Sequence, residues 1–286
     1  MRIPKLMHAV CSKLIFCVLL ICINFSCKKE SNTNPDIVLS DNDNMLMGNA
    51  SNAGSNENNY LLRKAQYSLS YSRTRTIANW VSWHTESSDI GSVDRQNDFR
   101  EDPELPKDWY KASDNLYNGT GFDRGHLCPS GDRTNSVTNN SATFLMTNII
   151  PQAPENNQFP WAALEEYARG LVLGGAELYT IAGTQGAGGI GLSGYADGID
   201  QDRIVVPADT WKVIVVLSKG NDDINRVNET TRVIAINIPN TNIGINPDWK
   251  YYRLSVDALE SKTGYNFLSA IPESIQTVIE SKVDDK

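Results

Sequence analysis

Polar and apolar residues alternate in several segments of the chain, and a period of two is typical of β-strands. Tyr67, Leu69 and Tyr71 alternate with serines, and the segment WVSWH at residues 80–84 follows after a short polar, basic turn, which predicts a hairpin. Four more strands are predicted at residues 177–182, 204–207, 211–218 and 232–238. Because regular helices do not separate these strands, the pattern predicts an α+β fold with a mainly antiparallel central sheet flanked by helices.

Two helices are predicted. Pro160 opens the first, residues 161–172, because proline suits the first helical turn, and Gly174 follows its end. Its predicted buried stripe consists of Trp161, Leu164, Ala168 and Leu171. The second helix is predicted at residues 256–264, whereas residues 91–122 are predicted to form a long loop held by isolated aromatic side chains.

The first 26 residues resemble an export signal. After a basic start, residues 14–25 form an almost uninterrupted apolar run, which is short for a membrane span and fits the core of a signal peptide. Because Ser26-Cys27 follows, the segment resembles a bacterial lipoprotein signal with a lipid anchor at Cys27 to a bacterial membrane. The expected location is the outer membrane, the cell surface or the periplasm. An uncleaved anchor and a plain secretory signal remain the alternatives.

Residues 27–59 are rich in Asn, Ser and Asp and contain no aromatic residue. Such a composition buries little apolar surface to offset the entropy of ordering, so a flexible polar tether is predicted. The folded domain is accordingly predicted to span residues 60–286.

The positions of the cysteines and histidines restrict the chemistry. Of five cysteines only Cys128 lies beyond the leader and the anchor position, which excludes a disulfide framework and a cysteine-rich zinc module. Of three histidines only His84 and His126 lie in the predicted domain. Any histidine-based chemistry therefore uses one of these two.

The charge of the predicted domain is acidic. Residues 60–286 contain 21 Lys and Arg against 29 Asp and Glu, a net charge of −8. Proteins that bind nucleic acid usually have a basic balance. A polyanion would therefore have to be held by a few well-placed arginines and a metal ion rather than by a diffuse positive field.

The motif DRGH at residues 123–126 carries the strongest chemical signal. His126 lies between glycines and a proline, in what is predicted to be a loop that substrate and water can reach. Its ordinary pKa near 6.5 would leave it largely neutral and able to accept a proton at neutral pH.

A second group of polar residues follows downstream. Asn148, Asn157 and Gln158 come before the predicted helix, and Glu165 and Arg169 lie four residues apart on it. An asparagine carbonyl and a carboxylate are oxygen ligands that suit Mg²⁺, which keeps much of its water shell.

Together, the WVSWH, DRGH, TNIIPQ, NNQFPWAALEEYAR and VDALESKTGYNF segments occur in the order found in a known family. They resemble the DNA/RNA non-specific endonucleases, the ββα-metal (His-Me finger) nucleases related to the Serratia nuclease and mitochondrial endonuclease G. The resemblance implies a six-stranded antiparallel sheet flanked by helices. It also implies Mg²⁺-dependent hydrolysis of DNA and RNA that leaves 5′ phosphates, with Mn²⁺ as another usable ion. The sequence indicates no protein partner.

The resemblance also assigns roles to individual residues. His126 matches the general base that activates water, Asn157 the direct protein ligand of the metal, and Glu165 a carboxylate that contacts the ion through a water. Arg169 matches an arginine that stabilises the charged phosphorane, and Asn148 an asparagine that supports the geometry of the site.

The arginines upstream of the helix are assigned less firmly. Arg124 belongs to the matched catalytic motif, and it and Asp123 are expected to act mainly through structure. The family uses a further arginine upstream, and Arg73 or Arg75 could fill that place; the spacing does not decide between them.

Two other functions remain open from the residues. Cys128 lies two residues from His126, so a Cys/His hydrolase is one alternative, although a buried, inert cysteine is the preferred interpretation. The other is a non-enzymatic surface lipoprotein that binds a polyanion or a protein partner, which the acidic balance favours. His84, in a strand-like segment, is expected to be structural.

Overall fold

The structure is a computed structural model that describes residues 40–286. The predicted signal peptide, the anchor position Cys27 and the tether up to residue 39 lie outside the described residues. Within residues 40–286, none of the helices is long and apolar enough to cross a bilayer.

The strands occur in the following order: β1 (Ser55–Asn56), β2 (Asn59–Arg63), β3 (Ser68–Ser72), β4 (Ile77–Thr85), β5 (Asp123–His126), β6 (Ile149–Gln152), β7 (Ala176–Gln185), β8 (Gly189–Gly191), β9 (Gly194–Ala196), β10 (Gly198–Ile199), β11 (Ile204–Val205), β12 (Asp209–Ser218) and β13 (Arg232–Pro239). The α-helices are α1 (Val137–Ala142), α2 (Pro154–Asn156), α3 (Ala162–Leu173), α4 (Asp223–Arg226), α5 (Val256–Thr263) and α6 (Glu273–Glu280). A π-helical turn, Asn157–Trp161, joins α2 to α3.

A seven-stranded sheet in the order β1-β2-β3-β4-β7-β12-β13 forms the centre of the fold, and every neighbouring pair of its strands is antiparallel. This confirms the predicted α+β fold with an antiparallel central sheet flanked by helices. The ten-residue strands β7 and β12 are neighbours in the interior of this sheet and are rich in β-branched and aromatic residues, which suit a pleated surface buried on both sides.

Side chains of the sheet alternate between two apolar faces. The site face contains Val81, Trp83 and Ile214 and packs against the elements that carry DRGH and α3. The back face contains Trp80, Tyr179, Trp211 and Val213 and packs against residues 45–53 and the C-terminal helices. Because successive residues of a strand point to opposite faces, neighbouring residues of one strand serve different cores.

The prediction of a tether is wrong for residues 40–59. Met45, Leu46 and Met47 are buried against the back face, and β1 and the start of β2 extend the sheet. The asparagines that suggested disorder hold the turns instead: Asn49 Oδ1 accepts a hydrogen bond from the Ala53 backbone N–H at 2.8 Å. The domain therefore includes these residues.

The helix at residues 161–172 begins earlier than predicted. Helical backbone starts at Pro154, and Pro160 lies inside the π-helical turn rather than in the first turn. A π turn accommodates proline because its wider hydrogen-bonding pattern relieves the clash with the preceding turn. Of the predicted stripe, Trp161, Leu164 and Ala168 are buried, whereas Val172 replaces the half-buried Leu171.

Three other elements differ from the prediction. DRGH forms strand β5, which pairs with β6, and is not a loop. The predicted strand at residues 204–207 shortens to the two residues of β11. A second C-terminal helix, α6, follows the predicted α5. The region 91–122 is irregular apart from a short 3₁₀ turn at Asp114–Tyr117, as predicted, with Trp109 packed on Tyr60.

Candidate active site

The ribbon β5–β6 and the helix that starts at Pro154 meet on the site face. The Trp161 indole Nε1 donates a hydrogen bond to the backbone carbonyl of His126 at 3.2 Å. On the same helix Arg169 contacts Asp132, six residues after His126. These contacts bring the DRGH motif and the downstream polar residues into one site.

His126 is buried rather than exposed in a loop. Its ring packs edge-on against Phe144, with ring centroids 4.9 Å apart, and near Phe99. Its Nε2 atom is buried and has no hydrogen-bond partner among the described residues. Burial, together with the charge of Arg95, lowers the pKa of His126 to about 3, although a hydrogen bond with the Arg124 backbone acts in the opposite direction. The imidazole is therefore neutral at neutral pH, with a free nitrogen that can accept a proton.

Gly125, the glycine of DRGH, is required by close packing. A Cβ atom at this position would lie 2.1 Å from Gln152 Oε1 on the paired strand β6. Gln152 is fully buried, and its Nε2 donates to Asn156 Oδ1 at 2.7 Å. A side chain at residue 125 would therefore displace the amide chain that links the ribbon to the start of the helix.

Asn157 begins the π-helical turn, and Asp123 fixes its orientation. The Asp123 carboxylate accepts hydrogen bonds at Oδ2 from Asn157 Nδ2 at 2.8 Å and from Gln158 Nε2 at 2.9 Å. Because the Asn157 amide nitrogen is held by Asp123, its carbonyl oxygen points away from that contact. An oriented amide oxygen is a suitable ligand for a hard cation such as Mg²⁺.

Glu165 lies on α3 and contacts a buried lysine that the sequence analysis did not identify. Lys212 Nζ is 3.4 Å from Glu165 Oε1 and 4.0 Å from the centre of the Trp161 ring. Burial raises the pKa of Glu165, and the Lys212 charge opposes this shift; burial lowers the pKa of Lys212. A lysine at an inward position of the apolar strand WKVIVV was the available signal.

Arg169 is held by a second carboxylate. Its Nη1 is 3.3 Å from Asp132 Oδ1, and Asp132 Oδ2 accepts a hydrogen bond from the Trp83 indole at 3.0 Å. Gly131 lies directly against the guanidinium, since a Cβ there would be 2.9 Å from Nη1. About a quarter of the Arg169 side chain, 27%, stays exposed, so the guanidinium can reach an anion at the surface of the site.

Asn148 has a supporting position. It is fully buried; its Oδ1 accepts from the Cys128 backbone N–H at 2.9 Å, and its Nδ2 donates to the carbonyl oxygens of Cys128 and Thr143, each at 2.8 Å. These bonds use its donors and an acceptor, so the side chain fixes the backbone that follows His126.

Among the arginines upstream of the helix, Arg95 is the one beside His126. Its guanidinium carbon lies 4.8 Å from the centre of the Phe144 ring, on which the His126 ring also packs, and its Nη1 donates to Ser130 Oγ at 2.6 Å. Arg95 lies in a region without periodicity, so no sequence pattern points to it.

Arg73 and Arg75 lie elsewhere. Arg73 pairs with Glu57 at 2.7 Å, and Arg75 donates to the Gly186 carbonyl at 3.0 Å. Arg124 is held by the Asp114 carbonyl at 3.1 Å and by the Phe99 ring at 5.0 Å, which agrees with a mainly structural part.

Cys128 does not have the properties of a nucleophile. It is fully buried, and burial raises the pKa of its thiol well above the ordinary range. A thiolate, which is the reactive form, is therefore disfavoured. The geometry argues against a Cys/His hydrolase and agrees with an inert packing residue.

His84 lies on the back face in a His/Glu/Asp cluster with Glu177 and Asp223. His84 Nε2 is 3.4 Å from Glu177 Oε2, and burial lowers the pKa of His84. Arg226 contacts both carboxylates, at 2.5 Å from Asp223 Oδ1. Because this guanidinium already compensates the acidic charges, the cluster is a buried ion network that joins α4 to the sheet.

Comparison with solved structures identifies the class of the fold. The structure of the EndoG/EndoGI complex, described as showing the mechanism of EndoG inhibition, matches with a TM-score of 0.68 and 22% identity over 84% of this chain and 96% of that one. At this identity the match establishes the fold alone, which this chain shares with that structure.

Relatives by sequence are also nucleases. A nuclease from Nostoc sp. (strain PCC 7120 / SAG 25.82 / UTEX 2576) is 47% identical over 244 residues, 84% of this chain and 86% of the relative. The mitochondrial nuclease EXOG of Homo sapiens is 30% identical over 70% of this chain and 55% of the relative. The Serratia marcescens nuclease is 28% identical over 80% of this chain and 82% of the relative. The model of the DNA/RNA non-specific endonuclease family matches residues 47–274. The chain belongs to this family and is an endonuclease that hydrolyses nucleic acids.

Proposed function

We propose that the protein is an exported, lipid-anchored, Mg²⁺-dependent endonuclease that cleaves DNA and RNA without sequence preference. The observation that carries the proposal is His126 Nε2, a buried and neutral nitrogen without a protein partner in the described part of the chain, in the same site as the oriented amide of Asn157. Hydrolysis of a phosphodiester requires a base for water and positive charge near the phosphorus oxygens, and this arrangement supplies positions for both.

His126 accepts the proton of the attacking water at Nε2. The rings of Phe99 and Phe144 fix the imidazole, and the Arg124 backbone acts on its other side. The low pKa keeps the imidazole unprotonated before the reaction, and the proton leaves again to solvent as the product departs.

The donor set around Asn157 fits a hard divalent cation. Asn157 would hold Mg²⁺ directly, and Glu165, oriented by Lys212, would hold it through water. Such an ion supplies positive charge as the phosphate oxygens become more negative. Mn²⁺ has similar ligand preferences and would serve as well.

Two arginines complete the binding of the phosphate. Arg169, held by Asp132, faces the surface of the site, and Arg95 lies beside His126. Contacts to phosphate contain no information about the base sequence, so weak preference among sequences and sugars follows. Because the domain is acidic overall, binding rests on these few charges and should weaken readily with salt.

The enzymatic part of the proposal is tested by incubating the purified chain with plasmid DNA and with RNA, each with Mg²⁺ or EDTA. The expected result is cleavage of both substrates only with Mg²⁺, with 5′ phosphate ends that ligate directly. Cys128→Ser should retain this activity. No cleavage by the wild type with either Mg²⁺ or Mn²⁺ would contradict the proposal.

Export and lipid attachment rest on the composition of residues 1–27. Labelling of cells with radioactive palmitate should mark the protein, and Cys27→Ala should remove the label. An unlabelled wild-type protein in the cytosolic fraction would contradict this part alone.

A further inference from the structure

Three carboxylates meet between the two C-terminal helices. Asp257 and Glu260 lie one turn apart on α5, and Glu280 lies near the end of α6. One ligand oxygen from each lies within 4.8 Å of those of the other two. Asp257 is exposed, Glu260 half-buried and Glu280 only 5% exposed, so the group extends from the surface into the protein.

Glu280 is the unusual member of this group. Its Oε1 is buried and makes no hydrogen bond to any residue in the described range. Burial, followed by the charges of Glu260 and Asp257, raises the pKa of Glu280 to about 7, and the opposing influence comes from the Leu268 backbone rather than from a basic side chain. A buried carboxylate oxygen without a partner is costly, and native proteins usually pair it or use it to bind a cation.

The buried carboxylates of the His84 cluster show how the chain itself can supply a compensating positive charge. There the Arg226 guanidinium lies between Glu177 and Asp223 and compensates their charge. No basic side chain is among the groups that shift the pKa of Glu280. The chain therefore supplies the positive charge at Glu177 and Asp223, whereas the buried Oε1 of Glu280 has no hydrogen-bond partner among the described residues and is open to a cation.

We propose that Asp257, Glu260 and Glu280 bind a hard divalent cation, Ca²⁺ in particular, at a site separate from the nuclease centre. The three ligand oxygens lie within 4.8 Å of one another, so a small adjustment of the side chains lets one ion, with Ca–O distances of roughly 2.4 Å, touch all three carboxylates. Water can complete the coordination on the side of the exposed Asp257. Mg²⁺ is the poorer fit because it requires shorter bonds in a regular octahedron.

The ion would fasten the last helix to the domain. Ile279, next to Glu280, is 1% exposed and belongs to the back-face core, so the position of α6 determines how completely that core is covered. A cation shared by α5 and α6 binds the folded chain and not the unfolded one, and it therefore stabilises the fold by mass action.

Thermal unfolding of the purified full chain in EDTA and in increasing CaCl2 tests the site without any use of nuclease activity. The melting temperature should rise by about 5–10 °C at a hundredfold excess over the dissociation constant. Glu280→Gln should abolish this response, yet its melting temperature in EDTA should be no lower than that of the wild type, because the neutral amide removes the repulsion.

Two further variants make the result decisive. Asn157→Ala changes the nuclease centre and should keep the full response to Ca²⁺, whereas the exposed Asp257→Asn should weaken Ca²⁺ binding at least about tenfold in a calorimetric titration. Loss of the response in Asn157→Ala, or a wild-type response in both Glu280→Gln and Asp257→Asn, would overturn the proposal. If Glu280→Gln does not fold, Asp257→Asn alone decides, because its exposed position makes misfolding a negligible concern.

Discussion

The two buried histidines of this domain lie on opposite faces of one sheet and have opposite surroundings. His84, on the back face, lies against Glu177 in an ion network completed by Arg226. His126, on the site face, lies among Phe99 and Phe144 with an unpartnered Nε2 in the described part of the chain. Burial lowers the pKa of both. Burial alone therefore does not distinguish a catalytic histidine from a structural one, and neither does the lack of a hydrogen bond at Nε2, which both rings share in the described residues. The difference is the neighbouring charge: a carboxylate lies 3.4 Å from His84 Nε2, whereas aromatic rings surround His126.

The largest expected difference between the two faces is in turnover. His126→Ala should lower kcat by about a thousandfold, because the reaction loses its general base. His84→Ala should retain turnover within about tenfold and lose about 1–3 kcal/mol of unfolding free energy through its unpaired neighbours. Steady-state cleavage of plasmid DNA and urea unfolding measure these two quantities. Equal losses of kcat in both variants would remove the distinction.

The next effect concerns the buried charge beneath the site. Lys212→Met should lower the free energy of unfolding by about 3 kcal/mol, because Glu165 is left buried without its cation. Lys250→Met, which removes an exposed lysine near the Trp249 ring, is the matched control and should change the free energy by less than about 0.5 kcal/mol. Chemical denaturation in EDTA gives both values. A Lys212→Met protein as stable as the control would show that the pair contributes nothing.

A smaller effect, on the Mg²⁺ requirement, is expected for Asp123, which acts by orienting Asn157. Asp123→Ala should raise the Mg²⁺ concentration for half-maximal activity by about 10–100-fold, because the Asn157 amide loses its orientation. Activity at saturating Mg²⁺ should recover most of its value. The control is Asp114→Ala, which removes an exposed carboxylate near Arg124 and should leave the Mg²⁺ requirement unchanged. An unaltered requirement in Asp123→Ala would separate Asp123 from metal binding.

The last expected effect is in the pH dependence of stability. The folded pKa of His126 lies below that of the unfolded chain, so the unfolded state binds more protons below about pH 6.5. The contribution of His126 is therefore complete above about pH 6.5 and is lost as the pH falls towards 3. Urea unfolding in EDTA from pH 8 to 4 should show a shallower decline for His126→Asn than for the wild type. Parallel curves would contradict the shifted pKa.

The sheet and the helix that carries Glu165 and Arg169 could be predicted because both follow from local periodicity. The spacing between DRGH and this helix also indicated which residues form the site. Strand β5 and the helix are in direct contact through Asp123–Asn157 and His126–Trp161. Lys212 could not be found in this way: a period of two shows which face a residue occupies, not which side chain it meets there. Arg95 lies in irregular chain, where no period exists. The error at residues 40–59 arose because average composition concealed three consecutive apolar residues, Met45 to Met47.

Strand β12 has one more consequence, for the fidelity of folding. Trp211 supports the back face, and its neighbour Lys212 places a charge under the site. A slip of one residue in the pairing with β7 would exchange these side chains between the two cores. It would leave an ammonium group among the apolar residues of the back face and an indole against Glu165. Lys212 therefore destabilises a sheet in which β12 is shifted by one residue, so the pair Trp211 and Lys212 favours a single register.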